Sequence, residues 1–173
     1  EAHAVLRSGA LRAEVDKGGT YGIRFYHGDK LLTATREGSL AYIEQEGGNH
    51  YIREMLNLAV GENIYGMGER FTPYVKNGQV VDIWQEDGGT CTSQAYKNIP
   101  FYLSDRGYGV LVGHSGLVSF EVGTEVVSKV QFSVPDEEMT YYIIDGPTLK
   151  EVLSHYTTLS GKPALPPAWS FGL

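Results

Sequence analysis

Apolar residues in this chain return at every second position in short runs, and turn-forming residues break those runs about every ten residues. No other feature narrows the fold as much. Leu11, Ala13 and Val15 alternate with polar partners, as do Tyr21, Ile23 and Phe25, then Val118, Phe120 and Val122, and then Val130, Phe132 and Val134. Successive side chains on a strand point to opposite faces, so each such run buries one face and wets the other. Gly109-Val110-Leu111-Val112 is a short continuous apolar run, and Tyr141-Tyr142-Ile143-Ile144 closes the series. Turn signals stand at Asp105-Arg106-Gly107, His114-Ser115-Gly116, Gly123-Thr124 and Pro135-Asp136, while His27-Gly28-Asp29-Lys30 reads as a hairpin turn into Leu31-Leu32. The pattern predicts an all-β fold, an antiparallel sandwich or barrel.

The period changes once, after Asp145-Gly146-Pro147. Leu149, Val152, Leu153 and Tyr156 fall at i, i+3, i+4 and i+7, on one face of a helix, and Thr148 with Glu151 forms a capping-box pattern at its start. The spacing predicts a helix over about 147–160, ended by Gly161 and Pro163. Ala164-Leu165-Pro166-Pro167 then reads as a stiff linker, and Ala168-Trp169-Ser170-Phe171-Gly172-Leu173 as the opening of an apolar strand without a partner in the chain.

Composition narrows the function. The 173 residues hold 14 Lys and Arg against 21 Asp and Glu, a net charge of −7, so no basic stripe exists to release counterions from nucleic acid. Nucleic acid is therefore not an expected partner. No apolar run approaches the roughly 20 residues that span a bilayer, and no charged-then-apolar leader opens the chain; no membrane partner is expected. The single Cys excludes an internal disulfide and suits a reducing compartment, so the expected location is cytoplasmic.

The chemistry-bearing stretch is Trp84 to Tyr102, centred on Asp87-Gly88-Gly89-Thr90-Cys91-Thr92-Ser93. Two glycines after an acid allow a ligand close to the main chain, and a carboxylate accepts hydrogen bonds from two sugar hydroxyls at once. The same string also suits an ordinary turn with its acid in water. Trp84, which opens the loop, is either a core residue or an aromatic wall for a sugar face. Glu69 and Arg70 stand adjacent and so face apart on a strand; Glu69 reads as a structural acid accepting from backbone or Arg. Gly66-Met67-Gly68 lacks the third glycine and following helix of a dinucleotide fingerprint and reads as a bend at a strand edge. The five histidines and Cys91 fall outside metal-ligand spacing, so no metal and no cofactor are expected. Cys91 reads as a partly buried thiol, and Tyr96, Tyr102, Tyr108, Tyr141 and Tyr142 as sheet packing with hydroxyls at the surface.

Ile64-Tyr65-Gly66-Met67-Gly68-Glu69-Arg70-Phe71, Asn77-Gly78-Gln79-Val80, Trp84 through Tyr102, Arg106-Gly107-Tyr108-Gly109-Val110, Tyr142-Ile143-Ile144-Asp145-Gly146-Pro147 and Pro166-Pro167-Ala168-Trp169-Ser170-Phe171-Gly172-Leu173 together resemble family 31 glycoside hydrolases, most of all their bacterial α-xylosidase branch. The resemblance is strong over about residues 55–173 and loose before. It implies a galactose-mutarotase-like β-sandwich over 1–146, a connecting helix and linker over 147–165, and over 166–173 the truncated first strand of a catalytic (β/α)8 barrel, in which Trp169 is a core residue. It implies an N-terminal portion of a retaining exo-α-glycosidase, an α-xylosidase releasing α-D-xylose from the non-reducing ends of xyloglucan-type oligosaccharides. An α-glucosidase of the same family and a self-standing carbohydrate-binding sandwich are the alternatives.

Retaining hydrolysis needs two carboxylates about 5–5.5 Å apart. The resemblance places both after Leu173, so no residue of this chain is expected to be catalytic and the chain alone is expected to be inactive. The loop aspartate that reaches from the sandwich into the barrel's mouth in the family matches Asp87, and Thr90 falls where relatives offer a hydroxyl or backbone group near the same pocket. Asp87, Thr90 and Trp84 are thus the expected substrate-binding residues. Family members commonly carry Asn two positions before this Asp, where this chain has Gln85. The expected partners are the oligosaccharide and the protein's own barrel, with a homo-oligomer as the expected full-length state.

Overall fold

The computed structural model of the chain describes residues 3–86 and 92–172. The described strands are β1 (His3–Ser8), β2 (Leu11–Asp16), β3 (Ile23–His27), β4 (Lys30–Ala34), β5 (Ala41–Glu44), β6 (His50–Asn57), β7 (Ile64–Gly66), β8 (Val80–Ile83), β9 (Phe101–Ser104), β10 (Tyr108–Val112), β11 (Val118–Val122), β12 (Lys129–Val134) and β13 (Tyr141–Asp145), followed by helix α1 (Leu149–Ser160). They form three antiparallel sheets in the orders β1-β2-β3-β4, β13-β10-β9-β7 and β5-β6-β12-β11-β8. The hairpin expected at His27–Lys30 joins β3 to β4, with His27 opposite Lys30.

Alternation explains the core. Val118, Phe120, Val122, Val130, Phe132 and Val134 are all fully buried, and with Val81, Ile83 and Leu56 they form the inner face of the five-stranded sheet. Ile64, Tyr102, Tyr108, Val110 and Val112 of the β7–β13 sheet pack onto them, and Phe25 and Leu32 join from the first sheet. Each such aliphatic or Phe side chain contributes about 1.5–3 kcal/mol on leaving water. Tyr102 meets Phe120 edge to face with centroids 6.0 Å apart, and Phe132 meets Tyr141 at 5.2 Å. These contacts define a β-sandwich.

Three expectations need correction. Tyr108 does not keep its hydroxyl at the surface: it is fully buried and donates to Glu62 Oε1 at 2.7 Å, because that buried carboxylate also gathers Ser104 Oγ at 2.5 Å and the Ala59 amide at 2.7 Å. Tyr102 is fully buried as well. On α1, only Val152 is buried and Tyr156 stacks on Phe101 with centroids 4.0 Å apart; Leu149 and Leu153 stay 38% and 46% exposed, so the apolar face is narrower than its spacing suggests. Finally, Ala168–Phe171 is a turn of 3-10 helix rather than a strand. No described strand runs beside it, so its amides turn inward, and Ser170 donates through both N–H and Oγ to the Pro167 carbonyl. Trp169 and Phe171 stand exposed there.

The helix begins where its cap demands. Thr148 Oγ1 accepts from the Glu151 amide at 3.3 Å and donates to Glu151 Oε2 at 2.7 Å, so the carboxylate turns to the hydroxyl instead of the Thr148 amide.

Candidate functional site

The bend at the end of β7 starts the site. Gly66, Met67 and Gly68 have φ of 102°, 68° and 86°, three left-handed residues in succession. A Cβ on Gly68 would lie 1.8 Å from the Lys97 carbonyl and one on Gly66 2.9 Å from that of Phe101, so only glycine fits either place. Met67 takes a conformation that a side chain resists, and its full burial in the core holds it there. Pressed in this way, the bend pairs with the approach to β9: the Met67 amide donates to Phe101 O at 2.9 Å and the Glu69 amide to Lys97 O at 3.0 Å. The expected strand-edge bend is present.

Two segments then form a rim. Trp84-Gln85-Glu86 leaves β8, and residues 92–98 return toward β9. Gln85 and Ala95 make a parallel bridge, the Glu86 amide donates to Ala95 O at 3.4 Å, and Gln94 Nε2 donates to Glu86 Oε2 at 2.5 Å. Asn98 Nδ2 donates to Trp84 O at 2.8 Å and to Ala95 O at 2.5 Å. Arg70, just past the bend, donates to the carbonyls of Met67, Asp82 and Ser93 and to Asn98 Oδ1. Burial lowers its pKa from the usual value, with the Asp82 charge opposing.

Between the segments lies a cavity of about 420 Å³, lined among the described residues by Asp82, Trp84, Glu86, Ser93, Gln94 and Leu117. Its volume lies within the range of small-ligand pockets. Trp84 is 52% exposed, so it belongs to this wall and not to the core. The indole gives an apolar face, while Glu86 and Gln94 add acceptors and donors for hydroxyls. Asp82 Oδ1 is engaged by Ser119 Oγ at 2.7 Å. Asp87, Thr90 and Cys91 lie outside the described residues. Glu69 accepts from Lys97 Nζ at 2.8 Å rather than from backbone or Arg; with both side chains exposed, such a pair contributes at most about 1 kcal/mol. Among the described residues no group of three or more His, Cys, Asp or Glu is arranged to hold a metal, and no helix is long and apolar enough to cross a membrane.

Trp84, one of the expected substrate-binding residues, lines this cavity; Arg70 and Asn98 fall inside the quoted motifs, but sequence reasoning assigns them no part in shaping the loop. Their partners are mostly main-chain carbonyls, which any residue type supplies, so residue types alone do not reveal what they hold.

The three antiparallel sheets and their shared core define a β-sandwich domain. Residues 1–121 match the family model for the glycosyl hydrolase 31 N-terminal galactose mutarotase-like domain, and the chain belongs to that family. It is 50% identical over 171 residues to the α-xylosidase XylQ of Lactiplantibacillus pentosus, covering 98% of this chain and 22% of that protein. An α-xylosidase of Emericella nidulans is 51% identical over 148 residues, covering 86% of this chain and 19% of that protein. Among solved structures, the Flavobacterium johnsoniae GH31 dextranase FjDex31A complexed with glucose superposes with a TM-score of 0.85 at 27% identity, over 99% of this chain and 21% of that one. α-Glucosidases are among the more distant relatives. The chain spans about a fifth of the length of the two α-xylosidases.

Proposed function

We propose that this chain is the sandwich portion of a retaining exo-α-xylosidase that removes α-D-xylose from the non-reducing ends of xyloglucan-type oligosaccharides. The observation that carries this reading is the identity of about one half to two α-xylosidases. The two catalytic aspartates belong to a barrel outside these 173 residues, and the chain alone is inactive. Its contribution is grip: Trp84 walls the terminal-sugar site, Asp87 takes up sugar hydroxyls, and Thr90 stands nearby. Such grip accelerates hydrolysis only to the extent that it tightens as the sugar flattens toward its oxocarbenium-like transition state.

The substrate reading is tested in the complete enzyme with aryl α-xyloside and aryl α-glucoside, comparing kcat/KM. A preference of at least tenfold for xyloside is expected, and the reverse preference makes the protein an α-glucosidase. The grip is tested by Asp87→Ala. A hydrogen bond to a charged group is worth about 1.5–3 kcal/mol, so kcat/KM should fall about 10- to 100-fold with the melting temperature nearly unchanged. Unchanged kinetics per folded molecule, with or without lost stability, removes Asp87 from the sugar site.

A further inference from the structure

Arg70 lies beside the rim but not in it. It lines a separate cavity of about 290 Å³, together with Gly66, Gly68 and Lys76 among others, whereas the 420 Å³ cavity is walled by Trp84 and Gln94. The guanidinium nevertheless reaches the bend, the end of β8 and the returning segment. Nε donates to Met67 O at 3.1 Å, in the left-handed bend; Nη1 to Ser93 O at 2.9 Å, on the returning segment; Nη2 to Asp82 O at 2.7 Å, at the end of β8, and also to Asn98 Oδ1, at the approach to β9. Asp82 and Ser93 are both walls of the larger cavity. Asn98 passes the hold onward, because the amide whose oxygen accepts from Arg70 donates through its nitrogen to the Trp84 and Ala95 carbonyls.

Three properties separate this arrangement from an ordinary surface arginine. All four acceptors are neutral, and no carboxylate among the described residues pairs with the side chain. The charge is half-buried and bonded to dipoles of fixed direction, with the Asp82 carboxylate acting on it only at a distance. The planar fork fits this task, since it presents several donors in fixed relative directions, which a lysine ammonium does not.

We propose that Arg70 is the positioning residue of the sugar site: without touching sugar, it fixes Trp84 and Ser93 at the separation that the terminal residue needs. Holding the walls in place before binding spares the ligand the cost of ordering them, and catalytic geometry tolerates little misplacement. The inference rests on the reading of this rim as a sugar-contacting wall and adds to it a residue whose role is indirect.

The test uses the complete enzyme and an aryl α-xyloside. Arg70→Lys keeps the charge and removes the fork. It is expected to lower kcat/KM at least tenfold while the melting temperature moves by only a few degrees. The same change in a Trp84→Ala background should cost no more than about twofold further, because the wall it positions is already gone; a purely structural arginine would cost the same in both backgrounds. Wild-type kcat/KM in Arg70→Lys, or an undiminished loss in the Trp84→Ala background, overturns the inference. Should Arg70→Lys fail to fold, Asn98→Ala leaves the arginine in place and cuts its link to Trp84; a three- to tenfold loss is expected, and no loss counts against the proposal. An impaired Asp87→Ala beside an unimpaired Arg70→Lys sinks this inference alone, whereas an unimpaired Asp87→Ala sinks the sugar-contact reading of the loop.

Discussion

The sandwich interior and the rim are held together in opposite ways. In the interior, β8, β11 and β12 each bring at least two fully or nearly fully buried apolar side chains, and none is indispensable to the direction of another. Behind the rim, one guanidinium and one amide collect main-chain carbonyls from three stretches of chain, and each bond has a required direction. Apolar burial is additive and non-directional, while hydrogen bonds of this kind mostly avoid the penalty of unpaired groups and specify one geometry. Stability therefore resides in the interior and shape at the rim.

Mutations can break this contrast. Phe120→Ala empties a fully buried site between Tyr102 and Phe132; a loss of about 3–5 kcal/mol in denaturant unfolding is expected, with kcat/KM per folded molecule of the complete enzyme unchanged. Gly68→Ala strikes where the two regions meet. It must displace the Lys97 carbonyl and hold an alanine at a φ of 86°, so it should cost at least about 1–3 kcal/mol and, unlike Phe120→Ala, also lower activity per folded molecule.

The interior's edge can be sharpened by pH. Tyr21 donates to the buried Glu54 at 2.5 Å, and burial, together with that carboxylate, pushes its pKa up from 10.0 to about 12. A pKa raised on folding means stability fully present below the unfolded value and lost as pH climbs through the folded one. Unfolding followed between pH 9 and 12 should show stability falling, and Tyr21→Phe should remove part of that slope; Tyr108, Tyr102 and Tyr141, also shifted upward by burial, keep the remainder. The smallest effect belongs to the exposed pair on the rim's far side: Glu69→Gln should change stability by less than about 1 kcal/mol and vanish in high salt.

What the sequence made legible follows the same division. Strands β11 and β12 announce themselves because alternation is the direct imprint of a sheet with one buried face. Strand β6 was hidden: it carries Arg53 and Glu54, and nothing local reveals that Tyr21, 33 residues earlier, and the Met55 amide satisfy a carboxylate that is fully buried. At the rim, Trp84 could be read as core or wall from its place beside a glycine-rich loop, whereas the acceptors of Arg70 could not be read at all, since a carbonyl acceptor leaves no trace in residue type. The tail at 168–171 is a 3-10 turn despite its strand-like composition, because such a composition forms a strand only where a neighbour offers its edge, and no described strand does.

One contact remains to be followed outward from the sandwich. Phe101 sits with its ring against the bare backbone of Gly109 on one side and flat on Tyr156 of α1 on the other. It lies three residues beyond Asn98, so the strand that leaves the rim runs directly into this clamp. One aromatic stack thus joins the helix to the strand that follows the rim.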